Sequence, residues 1–114
     1  MTSDSLKDLV VTTLDDNKAQ EITAIDVRDL TQVTDYFVIA TATSTRHAKS
    51  LADKVGQAAK AQNVMPLSTT GEEAGEWVLL DLQDVVVHIM LPEARQFYQL
   101  EKLWGMTEAI RQQR

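Results

Sequence analysis

The chain contains no cysteine, four glycines and two prolines among 114 residues. Without thiols it has neither a disulfide framework nor a thiolate metal site. It also lacks the Gly-rich phosphate-binding motifs and the His-Glu-x-x-His zinc motif. No apolar run approaches the roughly 18 residues of a membrane span. The polar, mixed-charge segment 1–8 does not resemble a signal peptide, so we expect a cytoplasmic protein with no membrane association.

Negative charge predominates, with a net charge of −6 and a pI near 4.7. Nucleic-acid binding depends on clustered Lys and Arg that neutralise phosphates, so direct nucleic-acid readout is not expected. The acidic balance favours a basic partner instead. At 12.7 kDa with 44% hydrophobic residues, the chain is the size of one domain that folds without covalent staples.

Periodicity predicts an α/β fold with a single mixed β-sheet of about five strands packed with helices. Apolar spacing predicts helices over 5–14 and from Thr43 or Ser44 to about Asn63, and Pro92 begins a third helix. A half-exposed edge strand is predicted at 22–30 and a central strand covered on both faces at 36–42. Residues 64–67 predict a short edge strand, residues 68–75 a loop, and residues 77–81 and 85–90 a hairpin.

Large side chains are concentrated near the C-terminus. Both tryptophans, two of the four other aromatics and one of the two histidines lie between Trp77 and Trp104. Strand alternation places Trp77, Leu79 and Asp81 on one face of the hairpin, and it also groups Val86, His88 and Met90. Two alternatives remain open: an exposed apolar face that binds a partner, or a sheet buried on both faces. In the last helix Tyr98 falls off the apolar stripe, which favours an exposed contact.

Few residues suggest catalysis. His88 lies between β-branched residues with no nucleophile signalled beside it, which is typical of a core or interface histidine. Four aspartates could converge on magnesium in a nucleotidyltransferase or phosphohydrolase, but none forms an Asp-x-Asp pair and three lie at strand ends, where aspartate commonly caps a turn. We therefore expect no metal and no cofactor. The four are Asp26, Asp35, Asp81 and Asp84.

Five blocks in order and spacing resemble the ribosomal silencing factor family, also called Iojap-like. They are TDYFVIAT at 34–41, STRH at 44–47, WVLLD at 77–81, DVVVH at 84–88 and RQFYQLEKLW at 95–104. The resemblance runs from the first helix to Trp104, which predicts a domain over 1–105 and a C-terminal tail over 106–114. Two positions depart from the family: Thr70-Gly71 replaces the usual Glu-Gly, and Gln83 replaces a turn glycine.

The resemblance implies a nucleotidyltransferase-like fold that lacks the catalytic residues, and hence a protein that is not an enzyme. It implies binding to the large ribosomal subunit through ribosomal protein uL14, steric exclusion of the small subunit, repression of translation under nutrient limitation, and a homodimer when free. A magnesium-dependent enzyme and a structural dimerisation module are the alternatives. The residues selected for docking are Trp77, Leu79, Asp81, His88, Met90, Tyr98 and, in second rank, Trp104.

Overall fold

Three helices and five strands make up the computed structural model, which describes the backbone of residues 1–98 and the side chains of residues 1–95. In chain order the elements are α1 (Ser3–Asp16), β1 (Gln20–Asp26), β2 (Tyr36–Thr41), α2 (Thr45–Ala61), β3 (Ser68–Thr70), β4 (Trp77–Asp81), β5 (Val85–Met90) and α3 (Pro92–Tyr98).

The strands form one mixed sheet in the order β1-β2-β5-β4-β3. The β2–β5 pair is parallel and the other three pairs are antiparallel. A parallel pair needs a long crossover, which α2 and the β3–β4 hairpin provide between β2 and β5. The predicted α/β fold with a single mixed five-stranded sheet is confirmed. The likeness to the nucleotidyltransferase fold stays a prediction from the family resemblance.

One face of the sheet is covered by α1 and α2, which also contact each other. The apolar stripe of α1 buries Leu6, Val10 and Leu14, whereas α2 packs mainly through small residues that allow close approach to the sheet. Both helices begin with a hydroxyl cap, Thr2 for α1 and Ser44 for α2. The strand residues in this core are Tyr36, Val38, Ala40, Val78, Leu80, Val85, Val87 and Ile89.

The edge strands correct two predictions. The short strand expected at 64–67 instead occupies Ser68–Thr70, within the segment predicted as a loop. Register explains the shift, because Ser68 and Thr70 pair with Asp81 and Leu79 of β4, whereas Pro66 has no amide hydrogen to donate. At the other edge β1 ends at Asp26 and not near residue 30, since the chain turns back through hydrogen bonds to the Val27 oxygen. The half-exposed, edge character predicted for β1 is confirmed.

Candidate functional site: the second face of the sheet

The face opposite α1 and α2 changes from buried to accessible across the sheet. Register aligns Ile39 of β2, His88 of β5 and Leu79 of β4 in one row across this face. At the centre the side chains are buried, with Ile39 1% exposed and His88 7% exposed. On β4 the side chains of this face are partly exposed. This face is therefore more accessible towards the edges of the sheet than at its centre, and we call its three partly exposed β4 residues, Trp77, Leu79 and Asp81, the β4 row.

Trp77 is joined to His88 by a hydrogen bond across the β4–β5 pair. The indole Nε1–H donates to His88 Nδ1 over 3.0 Å, and the two ring centroids lie 5.9 Å apart. An indole nitrogen only donates, so Nδ1 must be the unprotonated nitrogen of a neutral imidazole whose proton is on Nε2. Burial lowers the pKa of His88 from 6.5 to about 4. The histidine is therefore a neutral acceptor at physiological pH.

The other side of the His88 ring is packed against Phe37. The two rings meet edge to face, with centroids 5.3 Å apart and planes at 89°. Phe37 lies on β2, so Phe37, His88 and Trp77 form a continuous series of rings over three adjacent strands. Sequence analysis did not select Phe37. Its position within the apolar run 36–42 predicts only burial, and the contact depends on the parallel β2–β5 register.

Asp81 ends β4 and organises the hairpin turn. Its Oδ1 accepts the backbone N–H of Gln83 at 2.8 Å, as expected of an aspartate that follows a strand. Gln83 adopts a φ of +74°. On either side of it, the Asp84 backbone N–H donates to the Leu82 backbone oxygen at 3.0 Å. Gln83 thus holds the left-handed conformation for which glycine is usual. The Asp81 carboxylate lies at the edge of the accessible surface and supports the turn.

The buried arginine Arg95 attaches α3 to the same face. Its guanidinium donates to Thr41 Oγ1 at 2.8 Å, to Thr23 Oγ1 at 3.2 Å and to the backbone oxygen of Glu21. Glu21 has a φ of +49° at an irregularity where the β1–β2 register shifts, and Arg95 is 8% exposed. Sequence analysis missed this role because the acceptors lie 54 to 74 positions earlier in the chain.

The residues predicted for docking are separated by depth. Trp77, Leu79 and Asp81 are partly exposed, whereas His88 and Met90 are buried at 7% and 0% exposure. Because Met90 pairs with Trp77 and His88 pairs with Leu79, the two buried residues lie beside the accessible ones. Tyr98 is the last described backbone position of α3, and its side chain lies outside the described residues, as does all of Trp104.

The four aspartates considered as magnesium ligands do not gather. Within residues 1–98, no group of three or more His, Asp or Glu side chains is placed to hold a metal ion. Asp26 pairs with Arg28 at 2.6 Å, and this arginine lowers the pKa of the Asp26 carboxyl. Asp35 and Asp84 meet through a backbone hydrogen bond of 3.0 Å between the Asp35 nitrogen and the Asp84 oxygen.

The described part of the chain also contains no helix of the length and hydropathy that a bilayer crossing requires. Its fold and its second face define the class of the protein. It is a small α/β protein with one mixed sheet, two helices on one face and the partly exposed β4 row on the other.

Within that class, the chain belongs to the family described as ribosomal silencing factor during starvation, which it matches over residues 1–114. The family membership predicted from the five sequence blocks is thereby confirmed. The predicted boundary after Gly105 lies outside the described residues and stays a prediction.

Named relatives and a solved structure agree with this membership. The chain is 41% identical over 97 residues to the ribosomal silencing factor RsfS of Chromobacterium violaceum, covering 85% of this chain and 80% of that one. It is 37% identical over 102 residues to the mouse protein named mitochondrial assembly of ribosomal large subunit protein 1, covering 87% of this chain and 45% of that one. An X-ray structure of a Chromobacterium violaceum protein superimposes with a TM-score of 0.90 at 39% identity, covering 92% and 88% of the two chains.

Proposed function

We propose that this protein binds the large ribosomal subunit through ribosomal protein uL14 and sterically blocks association of the small subunit. Translation is thereby repressed, notably under nutrient limitation. The family description, which names silencing and starvation, supports the regulatory role, and the name of the mouse relative refers to the large subunit. Inhibition by excluded volume requires no chemical step, so in this proposal the protein acts without catalysis and without a cofactor.

The observation that carries this proposal is the β4 row. Trp77 and Leu79 are apolar side chains that remain partly exposed on β4, directly beside the buried His88 and Met90. Interfaces obtain most of their affinity from a few aromatic and aliphatic anchors surrounded by contacts that exclude water. Because the side chains of the β4 row are already partly buried, a small contact area with a partner is enough to remove their remaining water.

Charge complements this row. Asp81 lies at its end, and the whole chain carries a net charge of −6. An acidic protein meeting a basic ribosomal protein gains association rate and orientation from the field, whereas the apolar anchors slow dissociation. The proposed complex should therefore weaken with added salt mainly through slower association.

The third helix supplies the remaining proposed contacts. Arg95 fixes α3 to Thr23 and Thr41, whose side chains lie on the same face as the β4 row. We propose that Tyr98, on this helix, and Trp104 beyond it extend the docking surface. We further propose a cytoplasmic protein that is a homodimer when free, with an apolar surface that the ribosome competes for.

Co-sedimentation with isolated large subunits tests the proposal. The protein should pellet with large subunits and not with small ones, and adding small subunits afterwards should yield fewer joined ribosomes than a control without the protein. Binding without an effect on joining would contradict steric exclusion, and absence of binding at low and moderate salt would contradict the ribosomal role altogether.

Purified uL14 separates the finer claim from the coarser one. Direct binding to isolated uL14, measured by calorimetry, should compete with binding to large subunits. Binding to the large subunit without measurable binding to uL14 would retain a ribosomal role and discard this partner. A thermal shift with magnesium and nucleoside triphosphates tests the enzyme alternative, for which the proposal expects no change in melting temperature.

A further inference from the structure

We infer that His88 is a positioning residue for docking: by accepting the indole N–H of Trp77, it holds that ring in one orientation on the face of the sheet. The Trp77 ring then has its binding orientation before a partner arrives. That His88 orients Trp77 follows from contacts within the protein itself. That this orientation strengthens docking rests on the proposed function.

A tryptophan side chain has two rotatable torsions, and a partner that binds the ring requires both in one arrangement. Ordering such a side chain on binding reduces affinity, so an anchor held beforehand binds more tightly. Trp77 faces Met90 in the β4–β5 register, and His88 faces Leu79. The hydrogen bond of 3.0 Å therefore runs diagonally between strands and draws the indole along the β4 row towards Leu79.

His88 is suited to this task because it is itself immobile. It is 7% exposed and lies on the central strand of the sheet. Its ring also packs edge to face against the ring of Phe37, with the two centroids 5.3 Å apart. With so little accessible surface, the histidine contributes to docking through Trp77 and not through a contact of its own. Burial also keeps the ring neutral near pH 7, so one ring nitrogen carries no proton, and the indole N–H of Trp77 requires that nitrogen to be Nδ1.

Two substitutions distinguish the effect of the hydrogen-bond acceptor at His88 from the effect of its buried volume. His88→Leu fills the buried space with an apolar side chain and removes the acceptor. His88→Asn retains an amide oxygen close to the position of Nδ1, so it can restore the bond. Val86→Ala is the matched control, because Val86 lies on the same strand and face, is 6% exposed, and pairs with Asp81 and not with Trp77 or Leu79.

The first measurement is made on the free protein by ¹H–¹⁵N NMR. The Trp77 indole resonance is assigned as the one that disappears in Trp77→Phe. We expect His88→Leu to move the indole proton upfield and to speed its exchange with solvent at least tenfold. His88→Asn should recover most of the protection, and Val86→Ala should change neither quantity. An unchanged indole resonance in folded His88→Leu would overturn the inference.

The second measurement is a double-mutant cycle on the affinity for large ribosomal subunits. We expect His88→Leu to weaken binding about fivefold or more in the wild-type background and less than twofold in the Trp77→Phe background, since the ring that His88 positions is then absent. Equal losses in the two backgrounds would show that His88 acts independently of Trp77 and would overturn the docking role.

The two measurements distinguish failure of this inference from failure of the proposed function. If the wild-type protein does not bind large subunits, the proposed function fails and the docking role of His88 fails with it. The NMR result still decides whether His88 orients Trp77.

Discussion

Arg95 of α3 donates from Nη1 to the hydroxyl of Thr41 across 2.8 Å, joining residues 54 positions apart. The same guanidinium also donates to Thr23 and to the backbone oxygen of Glu21, so one buried side chain connects the last described helix to both strands of the β1–β2 pair. This attachment holds α3 against the second face of the sheet.

Arg95→Met should lower the free energy of unfolding by about 2–4 kcal/mol, because it leaves buried acceptors without their charged donor. Urea unfolding followed by circular dichroism measures the loss. Arg28→Met is the control, since the Arg28 side chain is 46% exposed and solvent screens its ion pair with Asp26, so its loss should change stability little. Comparable losses in the two variants would contradict the buried attachment.

Gln83→Gly should stabilise the protein by about 0.5–1 kcal/mol. Gln83 has a φ of +74°, a conformation that costs a non-glycine residue roughly 1–2 kcal/mol, and the greater flexibility of glycine in the unfolded chain offsets part of the gain. The same change in a helix, Gln57→Gly on the exposed side of α2, should instead destabilise by about 1 kcal/mol. Chemical denaturation of both variants checks the opposite signs, and a loss of stability in Gln83→Gly would refute the explanation from backbone strain.

Gly75→Ala should destabilise the protein by about 2 kcal/mol. Gly75 has a φ of +71°, and a Cβ added there would lie 2.7 Å from the Cβ of Thr45 at the start of α2. Accommodating the methyl group requires the loop before β4 to move away from the helix. Thermal denaturation measures the effect. Gly56→Ala is the control, because an added Cβ there meets Pro66 at an ordinary 3.9 Å; a wild-type melting temperature in Gly75→Ala would show that the loop is not confined as described.

Stability should depend on pH through His88. Its folded pKa of about 4 lies below the ordinary 6.5, so between these values the unfolded chain binds a proton that the folded protein excludes. The contribution of neutral His88 to the free energy of unfolding is fully present above pH 6.5 and is lost as the pH falls to about 4. The free energy of unfolding changes by an amount on the order of 3 kcal/mol. Over this range the unfolding free energy of wild type should fall relative to that of His88→Leu, which has no group titrating at this position. Parallel curves would contradict a buried neutral imidazole.

Periodicity was sufficient to predict elements whose residues contact the core. Both faces of β2 are covered and α2 has a regular apolar stripe, so hydrophobic spacing located them within a residue or two. It failed for β3, whose three residues are all exposed. An edge strand of this kind is determined by backbone pairing with β4, and Pro66 excluded the more apolar segment from that ladder.

The candidate site could be predicted in part. Alternation correctly grouped Trp77, Leu79 and Asp81, but burial depends on strand order, which a single sequence does not reveal. Because β5 is central and β4 is closer to the edge, one part of this face is buried and another is partly exposed, and partner binding at the exposed part stays a prediction. The contacts of His88 with Phe37 and Trp77 required the register of three strands and could not be predicted.

The affinity of Trp77→Ala for large ribosomal subunits tests the central claim most directly. Met65→Ala is the matched control, because Met65 is a large apolar side chain, 65% exposed, that lines a groove beside α2 and away from the β4 row. We predict that folded Trp77→Ala binds at least tenfold more weakly than wild type while Met65→Ala binds as wild type does. Wild-type affinity in folded Trp77→Ala would contradict docking through this face.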